Sequence, residues 1–132
     1  MRKIRRLPDS ELDIMLALWE GHPDMSRVDI ETVINGSPER QLAPTTINSL
    51  LARLERKGFV AVKKAGRNNL YTPLISQEEY CQQESRTVLE RLYANSLENF
   101  VTSLYNGRTI GREDLERLDK FLEEFGKEEP NE

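Results

Sequence analysis

The stretch APTTINSLLARLERKGFVAVKKAGRNNLYTPL, residues 43–74, changes its hydrophobic period halfway along. Ile47, Leu50, Leu51 and Leu54 recur at i, i+3, i+4 and i+7, which is one face of an α-helix. Pro44 suits its first turn and Gly58 its end. Beyond Gly58 the period falls to two. Val60 and Val62 share a face, the polar turn AGRN (residues 65–68) intervenes, and Leu70, Tyr71 and Thr72 resume an extended pattern. The reading is a helix joined directly to a two-stranded hairpin with a basic tip.

Towards the N-terminus, LPDSELDIMLALWEG (residues 7–21) places Leu12, Met15, Leu16 and Trp19 at helical spacing, with Gly21 as the stop. His22 and Pro23 make a loop. Ser26 with Asp29 forms a capping box, and Val28, Ile30, Val33 and Ile34 give a short helix ended by Asn35 and Gly36. Towards the C-terminus, Ser76 with Glu79 is a second capping box. It opens a helical stripe of Leu89, Leu92, Tyr93, Leu97, Phe100, Val101 and Leu104, broken near Asn95 and Ser96. Gly107 and Gly111 bracket a turn, and Leu115, Leu118, Phe121, Leu122 and Phe125 form a last helix before the acidic GKEEPNE, read as a frayed tail. The fold class is therefore mainly α with a small β hairpin. A winged helix-turn-helix over residues 1–75 precedes a helical dimerisation region over 76–132.

Charge divides the chain in the same way. Residues 1–75 hold 12 Lys+Arg against 9 Asp+Glu, a balance of +3, and residues 76–132 hold 7 against 14, a balance of −7. Between Gln41 and Ile75 the six cations Arg53, Arg56, Lys57, Lys63, Lys64 and Arg67 face only Glu55, a local patch that a polyanion feels despite the acidic total. The 132 residues fit one compact domain, or a small domain with an appendage. No apolar run reaches the roughly 20 residues of a membrane span, and no signal-peptide pattern follows the basic start, so a cytoplasmic location is expected. One cysteine, Cys81, and one histidine, His22, cannot build a four-ligand Cys/His zinc site. No phosphate loop or nucleophile motif points to an enzyme or a cofactor.

A major groove about 12 Å wide admits one helix, and the third helix has its apolar stripe committed to the core. Its other face offers Thr45, Thr46, Asn48 and Ser49 near the N-terminal end for base edges, and Arg53, Arg56 and Lys57 for phosphates. At the hairpin tip Arg67 follows Gly66, with Lys63 and Lys64 on the preceding strand, placed for phosphates or a minor groove. Lysines at such an edge also guard a small sheet against edge-to-edge pairing. The stripes of the second half hold more large apolar residues than two helices cover by themselves, which points to a two-fold dimer through Leu89, Leu92, Tyr93, Leu97, Phe100, Val101, Leu104, Leu115, Leu118 and Leu122. The competing class is a winged-helix module that grips another protein and not DNA.

Over nearly its whole length the chain resembles the penicillinase-repressor (BlaI/MecI/CopY) transcription regulators. The resemblance is carried by LPDSELDIMLALW with Glu11, Met15 and Trp19, by APTTINSLLARLERKGFV, by KKAGRNNLYTPLIS and by EEY. It implies a homodimeric repressor that binds a palindromic operator through the third helix and the wing. Two positions depart from the family pattern: Ala43 stands where a serine usually caps the recognition helix, and Leu42 where a tryptophan precedes it. The cysteine cluster of the copper-responsive branch has no counterpart, since Cys81 is the sole cysteine. In the β-lactam branch a regulatory protease inactivates the repressor at an asparagine–phenylalanine bond, and Asn99 and Phe100 stand at the matching place.

Overall fold

The computed structural model describes residues 3–128, and divides the chain into two compact units, Met1–Ser85 and Arg86–Glu132. The order of elements is α1 (Asp9–Glu20), β1 (Met25–Ser26), α2 (Arg27–Ile34), α3 (Pro44–Arg56), β2 (Val60–Ala65), β3 (Asn68–Pro73), α4 (Gln77–Tyr93), α5 (Leu97–Asn106) and α6 (Arg112–Glu128). Among the described residues no helix is long and apolar enough to cross a membrane.

In the first unit α1 packs on α2, α3 and β3, so it buries a wide arc and not a narrow stripe. Ile14, Met15, Ala17 and Leu18 are buried, Leu12 and Trp19 are partly covered, and Leu16, expected inside, is exposed. The short α2 begins with the expected capping box: Ser26 Oγ accepts from Asp29 N–H, and the Asp29 carboxylate accepts from Ser26 N–H. It buries only Ile30 and Ile34, one turn apart, while Val28 and Val33 face outward against expectation. Gly21 ends α1 where a Cβ would collide with the thioether of buried Met25.

The expected two-stranded hairpin is one part of a three-stranded antiparallel sheet in the order β1-β3-β2. Met25 pairs with Tyr71 and Ser26 with Leu70, a strand too short to show a period in sequence. On the other side of β3, Val60 pairs with Pro73 and Ala65 with Asn68. This leaves Gly66 and Arg67 as a two-residue turn with Gly66 at φ 65°, the left-handed geometry a glycine adopts without strain.

The winged unit extends into α4. The expected boundary after residue 75 and the division of the units after Ser85 differ because Tyr80, in the first turns of α4, lies deep in the winged core. Its hydroxyl accepts the Leu7 N–H at 2.9 Å, and its ring meets Phe59 and Trp19 at centroid distances of 6.1 and 5.8 Å. The Trp19 indole N–H donates to the Ile75 carbonyl at 2.9 Å, and Arg6 pairs with Glu84 at 3.1 Å. The second capping box is present, with Glu79 N–H donating to Ser76 Oγ.

In the second unit the expected break falls at Ala94 and Asn95, both left-handed with φ of 47° and 64°, and Ser96 caps α5 by accepting from Asn99 N–H. Tyr93 lies against Phe100 with ring centroids 5.2 Å apart, and its hydroxyl donates to Ser103 Oγ at 3.1 Å. Where a frayed tail was expected, Gly126 to Glu128 continue α6; residues 129–132 lie outside the described residues.

Burial, opposed in part by the Leu7 hydrogen bond, holds the Tyr80 hydroxyl above its ordinary pKa of 10.0. A raised folded-state value makes its stabilising contribution complete below about pH 10 and lost as pH rises through the folded-state pKa. Tyr80→Phe strands the buried Leu7 N–H and is expected to cost about 1–3 kcal/mol at neutral pH. It should also flatten the alkaline fall in stability. Thermal melts of both chains between pH 7 and 11 check both effects.

Candidate nucleic-acid interface

The interface is built from α3, the wing and the start of α2. Along α3, Ile47, Leu50, Leu51 and Leu54 are buried as their spacing requires. Because the helix turns 100° per residue, Thr45, Thr46, Asn48, Ser49, Arg53 and Arg56 are then all exposed. The Ser49 hydroxyl is turned back to the Thr45 carbonyl at 3.0 Å. Ala43 is the N-cap, in extended conformation, and supplies no side-chain hydrogen bond, so the N–H groups of Thr45 and Thr46 have no cap from it.

The loop before α3 is held another way. The Asn35 carboxamide grips the backbone of Leu42 on both sides, accepting its N–H at 2.8 Å and donating to its carbonyl at 3.1 Å. Gln41 reaches the carbonyls of Asn35 and Ser37 at 2.9 and 3.0 Å. Leu42, in the place of a bulkier aromatic residue, packs partly buried against the core.

The cations separate into two groups. Arg53, Arg56, Lys63, Lys64 and Arg67 are exposed, and among the described residues none is engaged in an ion pair. Lys57 is different: its ammonium is bound to Glu11, a carboxylate only 3% exposed in the core face of α1. Arg40 and Arg27 are likewise paired, with Asp13 and Glu31. On β2 the pleat sends Lys64 to the same face as Val60 and Val62, and Lys63 to the opposite face.

Asn48 and Arg67 line one shallow groove between α3 and the wing. Asn68, Asn69 and the α2 start at Ser26 and Arg27 line it too. Sequence reasoning passed over the two asparagines, although their position beside the basic tip was the available signal. Cys81 is exposed on α4, and the His22 ring nitrogen Nδ1 lies 2.8 Å from the Pro23 carbonyl; neither belongs to the groove. Among the described residues no group of three or more His, Cys, Asp and Glu is placed to hold a metal ion. The arrangement suits an anionic, elongated ligand: unpaired cations at two places flank short hydrogen-bonding side chains.

A family model described as penicillinase repressor matches residues 7–124 of the chain. The penicillinase repressor of Bacillus licheniformis is 31% identical over 125 residues, which span 94% of each chain. The methicillin resistance regulatory protein MecI of Mammaliicoccus sciuri is 22% identical over 120 residues, 91% of this chain and 95% of that protein. Among solved structures, the solution structure of the DNA binding domain of the repressor BlaI aligns with a TM-score of 0.50 and 31% identity, covering 61% of this chain and 94% of that one.

Restoring a side-chain cap is a direct test of the α3 entry. Ala43→Ser is expected to stabilise the chain by about 1 kcal/mol, since the backbone at residue 43 already has cap geometry. Chemical denaturation of the two chains measures it, and no gain would mean that the Asn35 grip prevents the serine from reaching the α3 N–H groups.

Proposed function

Because this chain belongs to the penicillinase repressor family, we propose that it represses transcription as a homodimer on a palindromic operator. The family is one of transcriptional repressors and not of enzymes. The observation that carries the DNA reading is the division of α3 into a buried apolar face and an exposed face of Thr45, Thr46, Asn48, Ser49, Arg53 and Arg56. Asn48 pairs with an adenine edge, threonine methyls pack on thymine, and Arg53, Arg56, Lys63, Lys64 and Arg67 take phosphates. The uncapped N–H groups of Thr45 and Thr46 add a positive helix end where a phosphate oxygen fits. Lys57, paired with Glu11, is left out of the contact set.

Dimerisation is supported by the second unit. Every hydrophobic residue that is fully buried lies at or before Tyr80, whereas Leu92, Leu97, Phe121, Leu122 and Phe125 are each half exposed or more. Leu118 is exposed as well, and Leu89, Tyr93, Phe100, Val101, Leu104 and Leu115 are only partly covered. Two copies that cover these faces across a two-fold axis present two winged units, the symmetry of a palindrome. Release by a regulatory protease between Asn99 and Phe100 would act on the first turn of α5, where Asn99 is exposed and Phe100 lies against Tyr93. That turn has to open for a protease to reach the bond.

The probe for these ideas is a duplex enriched by the wild-type chain from a random-sequence pool, compared with a scrambled duplex of the same composition. With about three phosphates per subunit, affinity should drop on the order of a thousandfold between about 50 and 200 mM salt. Arg53→Ala and Arg67→Ala should each lower the salt slope by about one and weaken both duplexes alike, while Asn48→Ala mainly narrows the gap between them. A protein-gripping module would show no steep salt slope.

Assembly has its own test. Leu97→Glu and the fragment Met1–Asn99 should sediment as monomers and bind the enriched duplex about a hundredfold or more weakly, since the second winged unit no longer acts at high local concentration. A fragment that binds like the intact chain would remove the basis for release by cleavage.

A further inference from the structure

α3 is held at both ends by side chains that lie outside its exposed face. At its entry the Asn35 carboxamide makes two hydrogen bonds to the backbone of Leu42, at 2.8 and 3.1 Å. At its exit Lys57, the C-cap residue, is bound to Glu11, which is 3% exposed and projects from α1. The two grips bracket the 13 residues of the helix and tie it to α2 and to α1 respectively.

Their chemistry explains why polar groups are used here. The core contacts of Ile47, Leu50, Leu51 and Leu54 are non-directional, and a slight rolling or tilting of α3 leaves most of that burial intact. Hydrogen bonds and a buried ion pair are directional and tolerate little displacement. A helix of this length is about 20 Å long, so a tilt of about 5° moves an end by roughly 1.5 Å. That exceeds the spread of about 0.5 Å over which an N–H···O bond is made. Base recognition is lost by such a shift, while long cations still reach phosphates.

We propose that Asn35 and Glu11 are positioning residues that set base readout from behind the helix, and that Lys57 acts through Glu11 and not by touching phosphate. This rests on the reading of α3 as the DNA-reading helix. Neither grip touches the groove that Asn48 and Arg67 share, so their effect on recognition passes through the placement of α3.

The test uses the full chain with Asn35→Ala, Glu11→Gln and Lys57→Met, and the enriched and scrambled duplexes described above. Thermal melts first establish that each variant folds cooperatively; Glu11→Gln, which leaves no unpaired buried carboxylate, carries the exit arm should Lys57→Met fail to fold. The expected result is a fall of about tenfold in preference for the enriched duplex, one base pair's worth of discrimination, with binding to the scrambled duplex at low salt nearly unchanged. The salt slope of Lys57→Met, or of Glu11→Gln in its stead, should match wild type. Unchanged preference in the folded variants, or a Lys57→Met slope lowered by about one as for a phosphate contact, overturns the proposal. A wild-type chain with no preference between the duplexes overturns the reading of α3 itself.

Discussion

α3 must be buried on one side and bare on the other, and the winged unit is organised around that requirement. Ile47, Leu50, Leu51 and Leu54 lie on the core, which determines which residues remain outside. Once the buried face is fixed, the outward placement of Thr45, Asn48 and Arg53 follows from the helical repeat. β2 begins almost at once after Gly58, whose φ of 82° turns the chain, and Phe59 and Val60 are buried beside the same core. The wing therefore inherits its place from the helix before it.

Polar chemistry is used where a surface of methyl groups lacks direction. A buried carboxylate is costly unless paired, and Glu11 is paired with Lys57. Of the six cations that the sequence clusters between Gln41 and Ile75, this one is internal to the fold. Counting charges on a sequence treats all six as equal. The distinction depends on an acid 46 residues away in the chain.

The legibility of the fold varied with the number of sides on which each element is packed. α3 has one buried face and one exposed face, so its stripe read correctly from spacing alone. α1 has three neighbours, and its buried arc therefore includes Ile14, Ala17 and Leu18 in place of Leu16. β1 spans two residues and leaves no periodic trace; its evidence lies in Tyr71 and Leu70, across the sheet. Both capping boxes were visible because their hydrogen bonds are local in sequence. The site followed the same rule: Asn48 and Arg67 stood out by residue type and position, whereas the Asn35 grip on Leu42 joins two loop positions that no period connects.

The capping of Tyr80 into the first unit also leaves the two units with unequal resistance to opening. The first contains all of the fully buried hydrophobic side chains among the described residues; the second has helices of 10 and 17 residues whose apolar sides are largely uncovered in a single chain. Isolated helices of that length are marginal in water. In a lone subunit, backbone amides of α5 and α6 are thus exchanged with solvent long before those of α1 and α3. Proteolytic turnover follows the population of opened chain, so an unpartnered subunit is consumed from its second half while the winged unit is still folded.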